Sequence, residues 1–244
     1  MRSRLARLLL LAALMLVIGV LGVPGVAGAA ANHETSLTAT ALNSTITWGG
    51  YTILTGTLMD ETALVALGGQ MLRVEWSPTG APLSWTLLAT VSAETGSPQY
   101  TAGQYPAVVY PTALTYYRFN FLGSPGYDIA SSNVLIIHVK PALGVPNVPG
   151  SAKVNKSFTV SGSLKPQFPA GATTDTLNAY RYNGSKWVAY KTYKAVNADN
   201  GTKTKYSLSI KISKTGKYRF TASTAKTAQY SAVTTANSAS FQVK

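Results

Sequence analysis

The 244-residue chain contains no cysteine. This absence excludes disulfides, thiolate metal sites, cysteine nucleophiles and the lipid-modified cysteine of a bacterial lipoprotein. Secreted eukaryotic chains of this size commonly form disulfides, because their compartment is oxidising. Since the N-terminal segment described below has the pattern of a secretion signal, the lack of cysteine favours a bacterial protein, and in particular a Gram-positive one.

Side chains suited to catalysis are also scarce, since the sequence has two histidines and eight acidic residues. His33 lies near the predicted mature N-terminus, where disorder is common, and His138 alternates with apolar neighbours and should face outward from a strand. No Gly-x-Ser-x-Gly nucleophile motif is present. The second half holds only Asp175 and Asp199, so a carboxylate pair of the glycosidase kind cannot recur in both halves. Calcium-loop and phosphate-binding motifs are missing as well, and we predict a protein that is not an enzyme and has no cofactor or metal site.

The first thirty residues have the pattern of a secretory signal peptide. Three arginines within the first seven residues precede an apolar stretch over 8–23 and a run of small residues over 25–31. We predict cleavage between about residues 29 and 31. The alternative is an uncleaved membrane anchor, because the apolar stretch with its flanks approaches the roughly 20 residues that span a bilayer; Pro24 and the small residues favour cleavage. The mature protein is thus predicted to be secreted or extracellular, with the cell wall as a candidate location and no membrane span.

The formal net charge of +13 is distributed unevenly along the chain. Residues 31–139 carry two basic and six acidic side chains, a net charge of −4. Residues 140–244 carry sixteen basic and two acidic side chains, a net charge of +14. Electrostatic attraction to anions is therefore expected from the second segment.

Matching motifs recur in the two segments at a nearly constant separation. The pairs are Leu54–Leu58 with Val160–Leu164, Ser84-Trp85 with Lys186-Trp187, Tyr116–Phe119 with Lys217–Phe220, and Val139-Lys140 with Val243-Lys244, at separations of 106, 102, 101 and 104 residues. This spacing indicates a duplicated domain. We predict a signal peptide over 1–30, a first domain over 31–140 that is acidic to neutral, and a second over 141–244 that is strongly basic. Three prolines at the start of the second domain are expected to stiffen the joint.

Both predicted domains have the sequence pattern of β-sheet. Between residues 206 and 212, Tyr, Leu and Ile occupy every second position and alternate with Ser and Lys, as in a strand with one buried face. Clusters of Gly, Asn, Asp and Pro interrupt such stretches at short intervals, and no helical period follows the signal peptide. Several short strands in each domain indicate an all-β chain of two β-sandwiches.

Short motifs stand at predicted core and turn positions of both domains. They are Thr55–Leu58, Ser84–Thr86 and Tyr117–Phe119 in the first domain, and Ser161–Leu164, Lys186-Trp187 and Gly216–Phe220 in the second. They resemble the bacterial immunoglobulin-like repeats of Gram-positive and actinobacterial surface proteins. The resemblance implies two tandem immunoglobulin-like β-sandwich domains, and it concerns fold rather than ligand. We expect Trp85 and Trp187 to lie in the sandwich cores.

Some Gram-positive sandwich domains carry a Lys–Asn isopeptide bond in place of a disulfide. The first domain has no lysine before Lys140, so it cannot form this bond within its own body. The second domain offers only Asp175 and Asp199 as the buried acid that the reaction needs. We expect no such bond.

Basic residues of the second domain are the strongest lead to a binding site. The candidate anion-binding residues are Lys186, Lys191, Lys194, Lys203, Lys205, Lys211, Lys217 and Arg219. Tyrosines stand among them, a mixture able to contact charged or stacked ligands. Because the sequence does not determine which sheet each of these strands joins, one continuous patch does not follow from it. The alternative is a solvated surface whose lysines protect strand edges from aggregation.

Three functions are compatible with these features. The leading hypothesis is a secreted or cell-surface protein with a binding or structural role, whose basic domain associates with anionic envelope polymers such as teichoic-acid-like chains or acidic polysaccharide. The second is adhesion or assembly through a protein partner, because tyrosines crowd the segment 100–117 and tyrosine is favoured at interfaces. The third is a carbohydrate-binding accessory module. No specific nucleic-acid motif is present.

Overall fold

The computed structural model of the chain describes residues 32–92, 103–172 and 174–244. The predicted signal peptide lies outside these residues, so its cleavage stays a prediction. Regular structure in the described ranges consists of β-strands, as predicted. The same ranges contain no helix of the length and apolarity that crossing a membrane requires.

The first ten strands build one sandwich. They are β1 (Thr35–Ala41), β2 (Thr45–Thr47), β3 (Thr52–Asp60), β4 (Val65–Ala66), β5 (Met71–Ser77), β6 (Thr86–Ser92), β7 (Gln104–Val109), β8 (Thr115–Phe121), β9 (Ala130–Ser131) and β10 (Leu135–Lys140). One sheet joins β1, β3, β4 and β7, and the other has the order β2-β10-β8-β5-β6, with β9 beside β8. The short strand β2 runs parallel to β10, whereas β1 pairs antiparallel with β3.

The remaining nine strands build a second sandwich. They are β11 (Ala142–Leu143), β12 (Ser151–Ala152), β13 (Ser157–Lys165), β14 (Asp175–Tyr182), β15 (Trp187–Asn200), β16 (Lys203–Lys211), β17 (Gly216–Thr224), β18 (Val233–Thr234) and β19 (Phe241–Val243). Their order is β11-β13-β16-β15-β14-β17-β19-β12, with β18 beside β17. Residues 187–195 of β15 pair with β14 and residues 196–200 pair with β16, so this one strand passes from one sheet to the other.

In both sandwiches a short strand early in the domain pairs in parallel with the last strand of the domain. As β2 runs parallel to β10 in the first, β12 runs parallel to β19 in the second, and β11 pairs antiparallel with β13. The predicted fold class, two tandem immunoglobulin-like β-sandwiches, is confirmed.

Strand alternation places one apolar face of each sheet in a core. In β17, Tyr218, Phe220 and Ala222 are completely buried. Arg219 and Ser223, on the same strand, are half-exposed. Burying a large apolar side chain contributes about 1.5–3 kcal/mol. The fully buried large side chains of the two cores are Leu54, Leu58, Leu72, Tyr105, Phe119 and Ile137 in the first, and Leu164, Leu177, Tyr206, Ile212, Tyr218 and Phe220 in the second.

A serine secures the corresponding strand in both sandwiches. The Ser132 hydroxyl accepts a hydrogen bond from the Phe119 backbone N–H at 2.9 Å, and the Ser132 N–H donates to the Phe119 carbonyl at 3.0 Å. Ser238 makes the same two bonds with Phe220, at 2.9 and 2.7 Å. The duplication therefore extends to individual hydrogen bonds between a strand and the segment that follows it.

A buried tyrosine packs against a glycine in the second sandwich. Tyr206 lies directly opposite Gly162 on the neighbouring strand, and its hydroxyl donates to the Gly144 carbonyl at 2.7 Å. A Cβ atom at Gly162 would lie 2.6 Å from Tyr206 Cε1 and closer still to its hydroxyl. Only glycine leaves room for the tyrosine ring at this position.

Contacts from the second sandwich reach the first at the joint. The Ser231 N–H donates to the Val139 carbonyl at 2.9 Å, and the Leu114 N–H donates to the Gln229 carbonyl at 2.8 Å. Tyr230, between these two, packs against the core of the first sandwich. Backbone hydrogen bonds and an aromatic ring thus restrict the joint in addition to the prolines.

We predict that Gly162→Ala destabilises the second sandwich, because the added methyl group collides with a tyrosine that is completely enclosed. Overpacking of this kind costs about 1–3 kcal/mol. Chemical denaturation of the full chain would measure the change. Gly150→Ala is the matched control, since open space surrounds Gly150 and its backbone is not left-handed; equal stability of the two variants would contradict the prediction.

Candidate functional site

The predicted anion-binding residues are divided between two opposite surfaces. Lys203, Lys205 and Lys211 lie on β16, in the sheet that contains β13. Four others lie on β15 and β17, which flank β14 in the opposite sheet, and Lys186 lies in the turn before β15. The structure therefore divides them into two groups, one on β16 and one on β15, β17 and the turn before β15. Within the second group, Lys191 is exposed but stands in register with the buried Ala179.

These cations have no carboxylate partner within the described part of the chain. The ion pairs found there are His33–Asp60, Arg73–Glu75 and Arg118–Glu75, all in the first sandwich. The described lysines are all exposed or half-exposed. The positive charge of the second sandwich is consequently not neutralised by described carboxylates and is exposed to solvent.

The outer face of the first sandwich carries a polar network centred on Glu75. The Arg118 guanidinium lies 4.3 Å from the centre of the Trp85 ring. Its Nε and a terminal nitrogen approach Glu75 Oε2 at 2.8 and 2.7 Å, and the Asn120 amide donates to the same oxygen at 2.7 Å. Because Glu75 is 9% exposed, this carboxylate is largely enclosed by its own donors. The arginine is neutralised from within the domain.

The outer face of the second sandwich repeats the arginine and the tryptophan but lacks the acid. The Arg219 guanidinium lies 4.4 Å from the centre of the Trp187 ring and 5.8 Å from that of Tyr180. Arg219 is paired in register with Tyr180, as Arg118 is with Glu75. A tyrosine thus occupies the strand position that holds the carboxylate in the first copy. The buried Arg219 Nε and the buried Thr221 hydroxyl find no hydrogen-bond partner among the described residues.

Both tryptophans were expected in the cores, and this expectation is wrong. Trp85 and Trp187 are half-exposed and lie outside the two buried clusters. Each is covered by an arginine from the same outer face, and cation–π attraction together with burial of the ring favours this arrangement. Trp76 and Trp48 pack against the first core instead.

Asp60 and Asp175 have surroundings that bear on catalytic and cross-linking chemistry. Burial raises the pKa of Asp60, but the hydrogen bond from His33, at 2.6 Å, and those from the Ala63 and Thr62 N–H groups hold it below its ordinary value. No described serine or threonine hydroxyl hydrogen-bonds to His33, so the pair lacks a nucleophile. His33 is held in place rather than disordered, because its N–H donates to the Gly126 carbonyl at 2.8 Å.

Asp175 is completely buried, and neither of its carboxylate oxygens has a hydrogen-bond partner among the described residues. Burial raises its pKa to about 7. An isopeptide bond would need a buried lysine beside it, and no described lysine is buried. Asp175 is therefore a protonated core residue at mildly acidic pH, and its ionisation at higher pH destabilises the fold.

We predict that the second sandwich loses stability as the pH rises from 4 to 8. The unfolded carboxyl loses its proton near pH 3.8 and the folded one only near pH 7, so between these values the folded state holds a proton that the unfolded state has released. The loss amounts to roughly 4 kcal/mol, at 1.36 kcal/mol per pKa unit. Asp175→Asn should remove most of this dependence in denaturation curves, whereas Asp199→Asn, at an exposed position, should leave it intact. A wild-type stability that is flat over this range would refute the prediction.

The tyrosine-rich segment of the first sandwich is split between core and surface. Tyr105 and Tyr117 are buried, Tyr110 is 68% exposed, and Tyr100 lies outside the described residues. Tyr110 helps to line an open groove of about 650 Å³ between the edge strands β6 and β7, whose walls are mainly apolar. A contiguous apolar surface of this kind is a candidate protein contact.

Fold and surface together define a tandem immunoglobulin-like protein with a neutralised arginine on one sandwich and an unpaired arginine on the other. No protein-family model matches the chain, and no curated protein is detectably similar to it. Among solved structures it is similar to a crystal structure of an ICAM-5 ectodomain fragment, domains D1–D4, with 14% sequence identity and a TM-score of 0.39. The similarity covers 85% of this chain and 53% of that one, so this chain spans about half the length of the fragment. A likeness at this level bears on no ligand or partner.

Sequence analysis identified Arg219 but missed why it differs from Arg118. The pairing of Arg118 with Glu75 depends on strand register, which the motifs do not contain. Aligning the two copies by that register, instead of by their motifs, would have placed Tyr180 opposite Arg219 and revealed the missing carboxylate.

We predict that Glu75→Gln destabilises the first sandwich by about 1–3 kcal/mol, because it leaves the stacked guanidinium of Arg118 without a counter-charge. Thermal and denaturant unfolding of the full chain would measure the loss. Glu34→Gln changes the same charge at an exposed position and should have little effect. Equal unfolding free energies for Glu75→Gln and Glu34→Gln would show that the Glu75–Arg118 ion pair does not stabilise the fold.

Proposed function

We propose that the protein is a non-catalytic, extracellular immunoglobulin-like protein of a Gram-positive cell surface, and that its second sandwich binds anionic polymers of the envelope. The observation that carries the proposal is the absence of internal counter-charge. Residues 140–244 have a net charge of +14, and none of their cations forms an ion pair among the described residues. In the first sandwich, by contrast, both arginines contact Glu75.

The arrangement of the charge suits a long, flexible polyanion. Exposed lysines stand on both outer faces of the second sandwich, including Lys205 and Lys211 on one face and Lys194 and Lys217 on the other. A polymer can contact several such sites at once, and each contact releases bound counter-ions and makes binding sensitive to salt. The predicted signal peptide and the lack of cysteine support an extracellular bacterial location.

A salt-dependent sedimentation experiment tests the proposal. The chain without residues 1–30 is mixed with Gram-positive cell walls before and after removal of their anionic polymers, from low to high salt. We expect sedimentation that is lost on polymer removal and that weakens as salt screens the charges. Binding that withstands both treatments would overturn the proposal.

Charge variants on β16 provide the second arm. Replacing Lys203, Lys205 and Lys211 by glutamine should weaken wall binding on the order of tenfold at low salt and reduce its salt dependence. Replacing the same three lysines by arginine keeps the charge and should preserve binding. An identical loss in both triple variants would show that charge is not the determinant.

The groove between β6 and β7 favours protein–protein contact as a second candidate function. Its rim exposes Leu88, Val108 and Tyr110, and apolar contacts of this kind are insensitive to salt. Retention on cell walls that is independent of salt, and that Leu88→Glu abolishes without unfolding the chain, would support this alternative over the electrostatic one.

A further inference from the structure

The two outer faces differ at one chemically decisive position. In the first sandwich, Glu75 accepts hydrogen bonds from Arg118 and Asn120. In the second, the residues that take the places of this acid and amide in the strand register are Tyr180 and Thr221. The arginine and the stacked tryptophan are kept while the carboxylate is lost.

The missing carboxylate leaves Arg219 without a counter-charge inside the protein. A guanidinium stays charged throughout the physiological pH range and carries five N–H donors. Arg219 has no hydrogen bond or ion pair to any described residue. Its Nε is buried between the aromatic rings, whereas its terminal nitrogens are not enclosed. The accessible donors therefore point outward from a partly desolvated site, where an external acceptor gains more than it would in bulk water.

Aromatic rings extend the site on one side. Tyr182 is 37% exposed, and its ring centre lies 5.5 Å from that of Trp187. Together with Tyr180, these rings form an amphipathic surface beside the guanidinium, suited to the apolar C–H face of a sugar ring. Hydroxyl and amide groups lie on the same face, where the Thr192 hydroxyl donates to the Asn178 side-chain amide oxygen Oδ1 at 3.0 Å.

Two lysines lie on the same outer face as this aromatic surface. Lys217 lies two residues before Arg219 on β17, and Lys194 lies on β15, where its ammonium group donates to the Thr176 hydroxyl at 2.9 Å. No described acidic residue lies on this face, because Asp175 points into the core and Asp199 belongs to the part of β15 that pairs with β16. The ligand should therefore carry repeated negative charges in addition to the one at Arg219.

We propose that the outer face of β14, β15 and β17 binds a carboxylate-bearing saccharide chain, with one carboxylate at Arg219 and sugar rings against Trp187 and Tyr182. The external carboxylate takes the role that Glu75 has in the first sandwich, and Arg–carboxylate pairing is bidentate and charge-assisted. This assignment rests on the proposed polyanion binding and specifies its ligand. A phosphate polymer would satisfy the arginine but leave the aromatic surface unused.

Oligogalacturonate is the probe, titrated into the chain without residues 1–30 and followed by calorimetry. Arg219→Lys keeps the charge but removes the bidentate donor pair, and we expect it to lower the affinity about 10- to 100-fold. The matched control is Arg118→Lys, the same change at the neutralised arginine of the first sandwich, with an expected change below about twofold. Thermal unfolding of both variants checks that they are folded.

Tyr180→Glu provides a test with the opposite chemistry. It places a carboxylate in register with Arg219, as Glu75 stands with Arg118. We expect this variant to stay folded and to lose oligogalacturonate binding, because the arginine is then neutralised internally. Undiminished binding by Tyr180→Glu, or equal effects of the two arginine variants, would overturn the assignment.

Two further comparisons separate this inference from the proposed function. Salt-sensitive wall binding without oligogalacturonate binding would overturn the saccharide site and leave the polyanion proposal standing. Oligogalacturonate binding that depends on Arg219, without wall binding, would overturn the polyanion proposal and leave the saccharide site standing. A polyphosphate of similar length that binds equally well, with the same dependence on Arg219, would show recognition of charge alone and overturn the assignment to a carboxylated sugar.

Discussion

Apolar contact between the two sheets of each sandwich is the interaction on which the rest of the structure depends. Without cysteine, no disulfide joins the sheets, so the buried apolar side chains of both sheets, those of β8 and β17 among them, hold the sheets together. Because neighbouring residues of a strand face opposite sides, burying Tyr218 and Phe220 necessarily places Arg219 outside. The position of the candidate binding arginine is thus a consequence of core packing.

Duplication has preserved the support of this face while changing its chemistry. The strand order around β8 and β17, the bonds of Ser132 and Ser238, and the stacking of an arginine on a tryptophan occur in both copies. At equivalent register positions the first copy has Glu75 and the second has Tyr180, and this difference in residue decides whether the arginine has a counter-charge within the protein. Buried or half-buried charges are stabilised by a partner, and in the second copy the described residues supply none for Arg219.

Local patterns predicted the fold because they report local geometry. Alternation over 206–212 and the repeat spacing were enough to predict strands, two sandwiches and outward lysines on β16. The tryptophan positions were mispredicted because aromatic character suggests burial, while a neighbouring arginine can cover such a ring equally well. The missing carboxylate at Arg219 and the passage of β15 between sheets depend on pairing between distant segments, which no local pattern contains. The division of the lysines between two faces was left open for the same reason.

The parallel pairing of β2 with β10, and of β12 with β19, has a mechanical consequence. In each sandwich the short strand lies early in the chain and its parallel partner lies at the end of the domain. Tension that pulls the two ends of a domain apart therefore slides these strands past each other along their length, and their hydrogen bonds bear the load together. Strands opened from one end would instead break their bonds one after another. The parallel pairs β2–β10 and β12–β19 thus resist stretching of each domain in a protein that has no disulfide.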